Sequence, residues 1–467
     1  GRVGGGDFTI GNVATDSREI TDGGLFFALR GAAMDGHRFV PTAFDHGAAA
    51  AIVEQPIDQP HVLVDDSFAA LQALARAARE RSRATIIGVT GSVGKTSVKE
   101  AIHAALDRAS RGASHRSVKS YNNHVGVPLS LARLPSRARY GVFEMGMNHA
   151  GEIAALTAQV RPHVAVITTI APAHIENLGS EEAIADAKAE IFAGLEPSDE
   201  GAQPVAVIPA DSPYAARLRA AAEAQGARVL TFGRAADADV RLLDALAVTG
   251  GGSLVTAQLG ETRLCYTVAA AGDHWVINSL AVMAAVSAAG ADLGAAGLAL
   301  AELAGLAGRG ARHEITCADG GRAVLIDESY NANPASMRST LVMLGQTPAR
   351  RRIAVLGAMK ELGDFAPSLH AGLAAPLAEA GVDFALLVGP EMTALAEELQ
   401  KAGELGKSSP SALGKPIAFA HCSDAQEALA ALAEQGLAGG DALLVKGSNS
   451  VGLAALVAAL LANQPRS

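Results

Sequence analysis

The chain is short of cysteine, of basic runs and of long apolar runs, and each shortage excludes a class of protein. Three cysteines in 467 residues, Cys265, Cys317 and Cys422, stand far apart with no CxxC pair. That pattern offers neither a disulfide framework nor a zinc knuckle, and it suits a reducing compartment. Lys and Arg total 38 against 48 Asp and Glu, a formal net charge of −10, with no long basic run. This balance predicts no nucleic-acid partner and no anionic membrane surface, so an anionic ligand must be held by a local site. The mean hydropathy is positive, at +0.22. Much of it is alanine, as in residues 279–308, where Asp292 and Glu302 interrupt the run. No stretch supplies the roughly 20 strongly apolar residues of a membrane span. The chain opens at Gly1 rather than Met, which points to a trimmed natural N-terminus. With no signal-like segment in view, the expected location is cytoplasmic.

What is present is apolar material enough for several cores: 49% apolar residues against 18% charged. Such a composition excludes a largely disordered chain. At about 150 residues per domain the length predicts about three domains, and the pattern predicts an α/β fold in each. Residues 1–82 read as a small α/β unit, with strand-like runs at 25–30, 50–54 and 61–66. A helix is expected over 68–81, its terminal arginines matching the negative end of the helix dipole. Residues 83–310 open on TIIGVT (85–90), a run suited to a buried parallel strand. Runs at 141–145, 164–169 and 205–210 alternate with helical stretches, which predicts a parallel sheet with helices on both faces. Runs at 253–259 and 263–269 flank a Gly-Glu-Thr turn and predict a hairpin extension, and Ala-rich helices follow near 275–290 and 295–307. Residues 311–467 carry runs at 323–327, 352–357, 383–389, 417–421 and 442–447, each before a helical stretch. That is the pattern of a Rossmann-like doubly wound domain. No short-period repeat is visible.

GVTGSVGKTSVKE (88–100) follows the buried strand and opens a helix. A nucleotide phosphate tail needs several backbone N–H groups converging on it, and only small residues allow that approach. Gly91 and Gly94 supply it, and the helix N-terminus adds its positive end. Lys95 would reach the β- and γ-phosphates and the Thr96 hydroxyl would meet Mg²⁺. The run Thr90, Gly91, Ser92, Val93, Gly94, Lys95, Thr96 and Ser97 is thus the candidate nucleotide cradle. The strict Walker pattern wants Gly where Val89 stands, so this is a shortened GxxGKT form. By itself it predicts a nucleoside triphosphate and no particular reaction.

Three further segments bear on the chemistry. FEMGMNHAGEI (143–153) puts Glu144 at the end of a strand in the sheet that carries the phosphate loop. The carboxyl ends of such strands gather ligands, and a second oxygen donor for Mg²⁺ belongs there. AHIENLGS (173–180) presents His174 after another strand, and AKAEIF (187–192) puts Lys188 on a helix. Read singly, Glu144 is as readily a surface carboxylate, while a structural histidine and an exposed helical lysine are the commoner readings of His174 and Lys188.

Taken together, GSVGKTS, NNHVGVP (122–128), FEMGMNHAGEI, AHIENLGS, AKAEIF, GDHWVINSLAVMAAV (272–286) and DESYNANPASM (327–337) follow the order and spacing of the Mur ligase family. The sequence resembles that family over nearly its whole length. NANPASM with FEMGMNHAGEI is the most specific part, and it resembles the branch that joins D-alanyl-D-alanine to a UDP-N-acetylmuramoyl-tripeptide through an acyl phosphate. The DNPR motif of the diamino-acid-adding branch is absent.

The resemblance implies ATP, two Mg²⁺ ions and CO₂ held as a lysine carbamate. Thr96 and Glu144 would hold one ion, and His174 would help hold the second. Lys188 matches the family's carbamylated lysine, since an ammonium cannot ligate a cation but its N-carboxylated form can. His274 and Asn278 would face adenine, Asp327 or Glu328 the ribose, with Tyr330 beside the nucleotide, and Arg309 would reach the phosphates. TDSREI (15–20) and GGLFFALRGAAMDGHRF (23–39) resemble the family's uridine-nucleotide pocket, with Ser17, Arg18, Arg30, Gly31, Asp35 and His37 as candidates. Asn122 and Asn123 would line the route from there to the centre. Residues 1–82 would then bind the UDP substrate, 83–310 ATP, and 311–467 the dipeptide, whose carboxylate end would meet Lys446 and Ser448. The implied partners are small molecules, and a monomer is expected.

Three positions depart from the family pattern. Glu328 stands in DES where DDS is usual, Ala358 in LGAM replaces an acid, and Asn449 in KGSNS replaces an arginine. Two rivals remain close: a diamino-acid-adding ligase, or a folate polyglutamate ligase, which needs no TDSR…DGH segment. A P-loop motor or kinase predicts an apolar run ending in Asp, whereas GVFEM ends in Glu-Met. A non-catalytic nucleotide-binding protein would be free to lose Lys95, Thr96, Glu144, His174 and Lys188, all present.

Overall fold

The apolar run at 85–90 becomes the strand Thr85–Thr90, near the middle of a nine-stranded sheet. The computed structural model describes residues 1–4, 8–31, 34–199, 201–248, 251–405 and 416–462. Successive residues of that strand point to opposite faces, so Ile86 packs into one core while Ile87 and Val89 pack into another. A strand apolar on both faces needs helices on both. Lys95–Ser110 and Asp273–Ala288 cover one face, and Glu152–Val160 and Glu181–Ala189 the other. Across the sheet the strands run Thr262–Val268, Ser253–Leu259, Val240–Ala247, Arg228–Gly233, Val205–Pro209, Val164–Ile167, Thr85–Thr90, Tyr140–Glu144 and Ser114–Arg116. All pair in parallel except the two of the expected hairpin.

The second Ala-rich helix is shorter than its composition suggests, spanning Leu293–Glu302. Gly305, Gly308 and Gly310 follow and favour a turn over helix. A Cβ at Gly305 would lie 2.0 Å from the Gly310 carbonyl oxygen.

The first sheet has five strands, ordered Arg2–Gly4, His61–Leu63, Ala48–Val53, Gly24–Phe27 and Val13–Ala14. Only the first is antiparallel to its neighbour. The helix Ser67–Glu80 starts at Asp66, whose carboxylate accepts the N–H groups of Phe68 and Ala69. Its Leu71 packs with Leu25 and Phe27 of this sheet and with Leu129 and Ala132 of the neighbouring helix. Arg79 is not a solvated partner of the helix dipole. It is buried, donating to the carbonyls of Val160 (2.8 Å) and Arg161 (2.7 Å) and so tying this helix to the large sheet.

The last sheet runs Ala311–Thr316, Arg322–Glu328, Asp441–Lys446, Arg351–Gly357, Phe384–Val388 and Ala418–Cys422. It is parallel apart from the antiparallel first strand, with helices on both faces as a doubly wound sheet requires. One continuous apolar cluster joins it to the middle unit: Phe143, Ile167 and Ile184 belong to the same core as Met337, Met359 and Leu362. The three cysteines are free. Among the described residues no helix is long and apolar enough to cross a membrane.

His163 closes the bottom of the large sheet. Its Nδ1 accepts the Ile86 N–H at 2.9 Å, so the ring is neutral when folded. Burial, reinforced by Arg79, lowers its pKa from 6.5 to about 4. A base with a depressed folded pKa contributes stability in full above its unfolded value and loses it as pH falls toward the folded one. The unfolding free energy from urea titration should therefore fall between pH 6.5 and 4, by roughly 1–2 kcal/mol from this residue after partial solvent screening. His163→Asn should flatten that slope; an unchanged slope would reject the assignment.

Candidate active site

The phosphate loop is shaped by what its glycines exclude. Gly91 sits at φ +148, and a Cβ there would lie 2.0 Å from the Thr168 hydroxyl. Gly94, at φ +85, precedes the helix Lys95–Ser110, which has no side-chain cap. The first N–H groups of that helix are therefore free for an anion. The loop is pinned to the adjacent strand end: Ser92 N–H donates to the Thr169 carbonyl, and the Thr168 hydroxyl to that of Val93. Lys95 folds over the loop, its Nζ 2.7 Å from the Gly91 carbonyl oxygen. Burial lowers its pKa below the ordinary lysine value, with Glu144 opposing and Arg309 adding to the shift.

Glu144, the last residue of Tyr140–Glu144, is 1% exposed. Its two oxygens take different partners: Oε2 accepts from the Thr96 hydroxyl at 2.9 Å, and Oε1 from Asn122 Nδ2 at 2.7 Å. Behind it stands Lys99, fully buried, with Nζ 3.8 Å from Oε2. Lys99 also donates to the carbonyls of Ser117 and Lys119 and so fixes the loop that leads to Asn122. The sequence analysis missed Lys99. Its signal was a lysine one helical turn after Lys95, on the buried side of the helix.

His174 has φ +60, precedes the short helix Ile175–Leu178, and brings Nδ1 against the Glu361 carboxylate of the last unit. Lys188 is fully buried and its Nζ has no hydrogen-bond partner. Burial, and then the charge of Lys95, push its pKa well below the ordinary value. Both causes favour the neutral amine over the ammonium.

A cavity of about 1020 Å³ opens where the units meet. It gathers Ser92 through Ser97, Asn122, Asn123, Glu144, His174, His274, Asn278, Arg309, Glu328, Tyr330 and Lys446. Asn278 packs against the loop, 3.2 Å from where a Gly94 Cβ would be. His274 Nδ1 is 3.1 Å from the Ser339 hydroxyl, and burial lowers its pKa. The Arg309 guanidinium lies over the Tyr330 ring, 4.3 Å from its centroid, and the Tyr330 hydroxyl meets Ser120. Lys446 Nζ bonds the Asn331 carbonyl at 2.9 Å and stands 3.3 Å from Glu328.

Gly91 and Lys188 lie outside the cavity lining, and so do other candidates, whose bonds say why. Thr90 spends its hydroxyl on the Met145 carbonyl. Asp327 accepts from Gly308 N–H at 2.7 Å and from the Ser329 hydroxyl at 2.6 Å, so of the two acids only Glu328 faces the cavity. Ser448 accepts the Lys360 N–H. Asn123 lines the cavity but also caps the helix Gly126–Ala132 through Gly126 N–H at 2.8 Å. The six N-terminal candidates sit apart from the cavity. Arg18 pairs with Asp16, Arg30 with Glu54, and His37 bridges Asp35 at 2.7 Å and the Glu54 N–H at 2.9 Å. Ser17 is buried and its carbonyl meets His46, while Gly31 bonds the Met34 carbonyl. Glu54, which joins Arg30 to His37, and Glu19, which accepts from Lys119 (2.7 Å) and Tyr121 (2.6 Å), were not expected from sequence.

Three family models match the chain: Mur ligase family, catalytic domain, over residues 9–89; Mur ligase middle domain, over 89–286; and Mur ligase, glutamate ligase domain, over 311–449. A UDP-N-acetylmuramoyl-tripeptide–D-alanyl-D-alanine ligase of Synechocystis sp. is 36% identical, covering 99% of this chain and 94% of the relative. The chain belongs to the Mur ligase family. This Mur ligase superposes on a crystal structure of MurF from Acinetobacter baumannii with a TM-score of 0.80 at 30% identity, covering 97% of this chain and 93% of that one. It also superposes on MurF ligase from Thermotoga maritima in complex with ADP, with a TM-score of 0.74 at 25% identity over 96% of each chain.

In this Mur ligase, Gly91→Ala should cost about 1–3 kcal/mol, because both the φ and the space exclude a side chain. It should also weaken ADP binding at least about tenfold. Thermal melting and calorimetric titration check both, and an ADP affinity equal to that of the parent would overturn the loop assignment.

Proposed function

We propose that the chain is an ATP-dependent ligase that joins D-alanyl-D-alanine to UDP-N-acetylmuramoyl-tripeptide in peptidoglycan precursor synthesis. The observation that carries this is one cavity shared by the phosphate loop, the Thr96–Glu144 pair and the strand tips of the last sheet at Glu328 and Lys446. It is joined by the near-complete similarity to D-alanyl-D-alanine-adding relatives. A volume of about 1020 Å³ suits a nucleotide with the reacting end of a peptide. In this reading residues 1–82 take the UDP end, 83–310 hold ATP, and 311–467 receive the dipeptide. The cavity is complete within one chain, which supports a monomer, and the cytoplasm is the location where its substrates meet ATP.

His274 and Asn278 hold the adenine side, Glu328 the ribose, and Lys95 and Arg309 the phosphates. Thr96 and Glu144 hold one Mg²⁺, and His174 with Lys188 the second. Lys188 fits a carbamate: a buried, unpartnered ammonium is costly, and the neutral amine is the form that adds to CO₂. The amine loses one proton as the N–C bond forms, leaving an anionic oxygen donor. When bound, the two ions neutralise charge on the transferring phosphoryl group.

The tripeptide carboxylate attacks the γ-phosphorus of ATP, and ADP leaves. Lys95 and Arg309 offset the negative charge on the oxygens in flight. The dipeptide amine then attacks the acyl carbon, a proton is lost, and inorganic phosphate departs from the tetrahedral intermediate. An acyl phosphate hydrolyses in open water. The three units that wall the cavity exclude that water.

Purified protein with ATP and Mg²⁺ should release phosphate only when the UDP-tripeptide and D-alanyl-D-alanine are both present. Equal release with an unrelated amine would reject the specificity. Lys188→Ala should lose at least about 100-fold in rate and recover in part with short-chain carboxylic acids. Full activity of the plain variant would exclude the carbamate.

A further inference from the structure

We infer that Glu361 is a positioning residue for His174: its carboxylate keeps a proton on Nδ1 and so leaves Nε2 as the lone-pair nitrogen for the nucleotide site. The inference rests on the proposed function for what Nε2 meets, but its geometry stands alone. His174 lines the cavity and brings Nδ1 against Glu361 Oε2, across the boundary between the middle and last units; the pair is not aligned as a hydrogen bond, but an oxygen this close can face only a protonated Nδ1. An imidazole can present either nitrogen, and without a partner the form protonated on Nε2 prevails. A carboxylate on Nδ1 reverses that choice and aims the ring.

Two independent features show that this contact is built rather than incidental. His174 and Glu361 are both non-glycine residues at positive φ, +60 and +63. Backbone held in that region on both sides of one contact needs support from its surroundings. The support is visible one or two residues on. Gly363, at φ +50, lies so close to Glu176 that a Cβ would be 3.0 Å from its Cγ. Ile175 and Leu362 are buried in the same apolar cluster. The segments 174–176 and 361–363 therefore interlock, and Glu361 arrives at His174 only when the last unit is docked.

The surroundings of Glu361 place it at the phosphate end of the site. Besides His174, the charge that bears on its carboxylate is that of Lys95, the phosphate-loop lysine. Glu361 thus links docking of the last unit to the orientation of one donor in the middle unit. That gives the closed arrangement, and not the open one, a correctly presented histidine.

The test is nitrogen-15 NMR of the full chain with labelled histidine, the His174 signals being assigned by their loss in His174→Gln. In the parent at mildly alkaline pH, Nδ1 should carry the proton and Nε2 should not. Glu361→Ala should move the proton to Nε2. Glu361→Gln, whose amide oxygen still accepts, should keep it on Nδ1. In steady-state assays Glu361→Ala should lower kcat about 10–100-fold and raise the Mg²⁺ needed for half-activation, with the KM for the UDP-tripeptide unchanged, and Glu361→Gln should recover much of the loss. A parent His174 protonated on Nε2, or the same tautomer in Glu361→Ala as in the parent, overturns the inference. Should the alanine variant fail to fold, the parent and Glu361→Gln spectra decide it. A parent with the expected tautomer but no ligase activity would reject the proposed function and leave the positioning role standing.

Discussion

A carboxylate buried at the tip of a parallel strand is the constraint around which the middle of this protein is arranged. An ionised Glu144 at 1% exposure is tolerable only if its oxygens are answered by donors and a nearby positive charge. The answers come from one helix and one loop. Thr96 comes from the helix that opens at the phosphate loop, Asn122 from the loop beyond Ser114–Arg116, and Lys99 from one turn further along the same helix. Satisfying one buried charge thereby fixes the spacing between the nucleotide cradle, the substrate-side loop and the strand that carries the acid.

The same economy of solvent explains the lysines. Lys188 and Lys446 are buried and Lys95 is half-buried, and desolvation lowers the pKa of each. Their compensation differs. Lys446 has Glu328 and the Asn331 carbonyl, and Lys95 has the Gly91 carbonyl, whereas Lys188 has no hydrogen-bond partner among the described residues and only the more distant charge of Glu190. Three amines thus differ in their local partners, and Lys188, the least compensated, is the one most strongly pushed toward its neutral form. The difference follows from local partners rather than from residue type.

The large sheet and the last sheet aim the carboxyl ends of their strands at the same cavity, which is the general place for ligands in open α/β sheets. Glu144, Glu328 and Lys446 are each the final residue of a strand and each lines it. The contacts across the units are apolar beneath and polar at the rim, with Met359 and Leu362 below and His174 against Glu361 above. A surface of this kind holds the units in register while leaving charged groups where phosphates come and go.

Strands were legible because a run such as TIIGVT has no charged residue and apolar side chains on both of its faces, and both faces of that strand are covered. The phosphate loop was legible because its glycines, lysine and threonine are contiguous and their spacing has one physical use. Glu144 was nameable from its place at a strand end beside the phosphate loop, but His174 and Lys188 only through a resemblance, since an imidazole and an amine look alike in sequence whether solvated or buried. Local order along the chain therefore determined the three α/β units and the nucleotide cradle. Only the tertiary structure decided that Glu328 rather than Asp327 faces the cavity, that Arg79 is an internal strut, and that Lys188 is dry. It alone also put Lys99 beside Glu144 and Glu361 beside His174. Burial and partnership are set by residues far apart in the chain, and the energy of a charge depends on those neighbours.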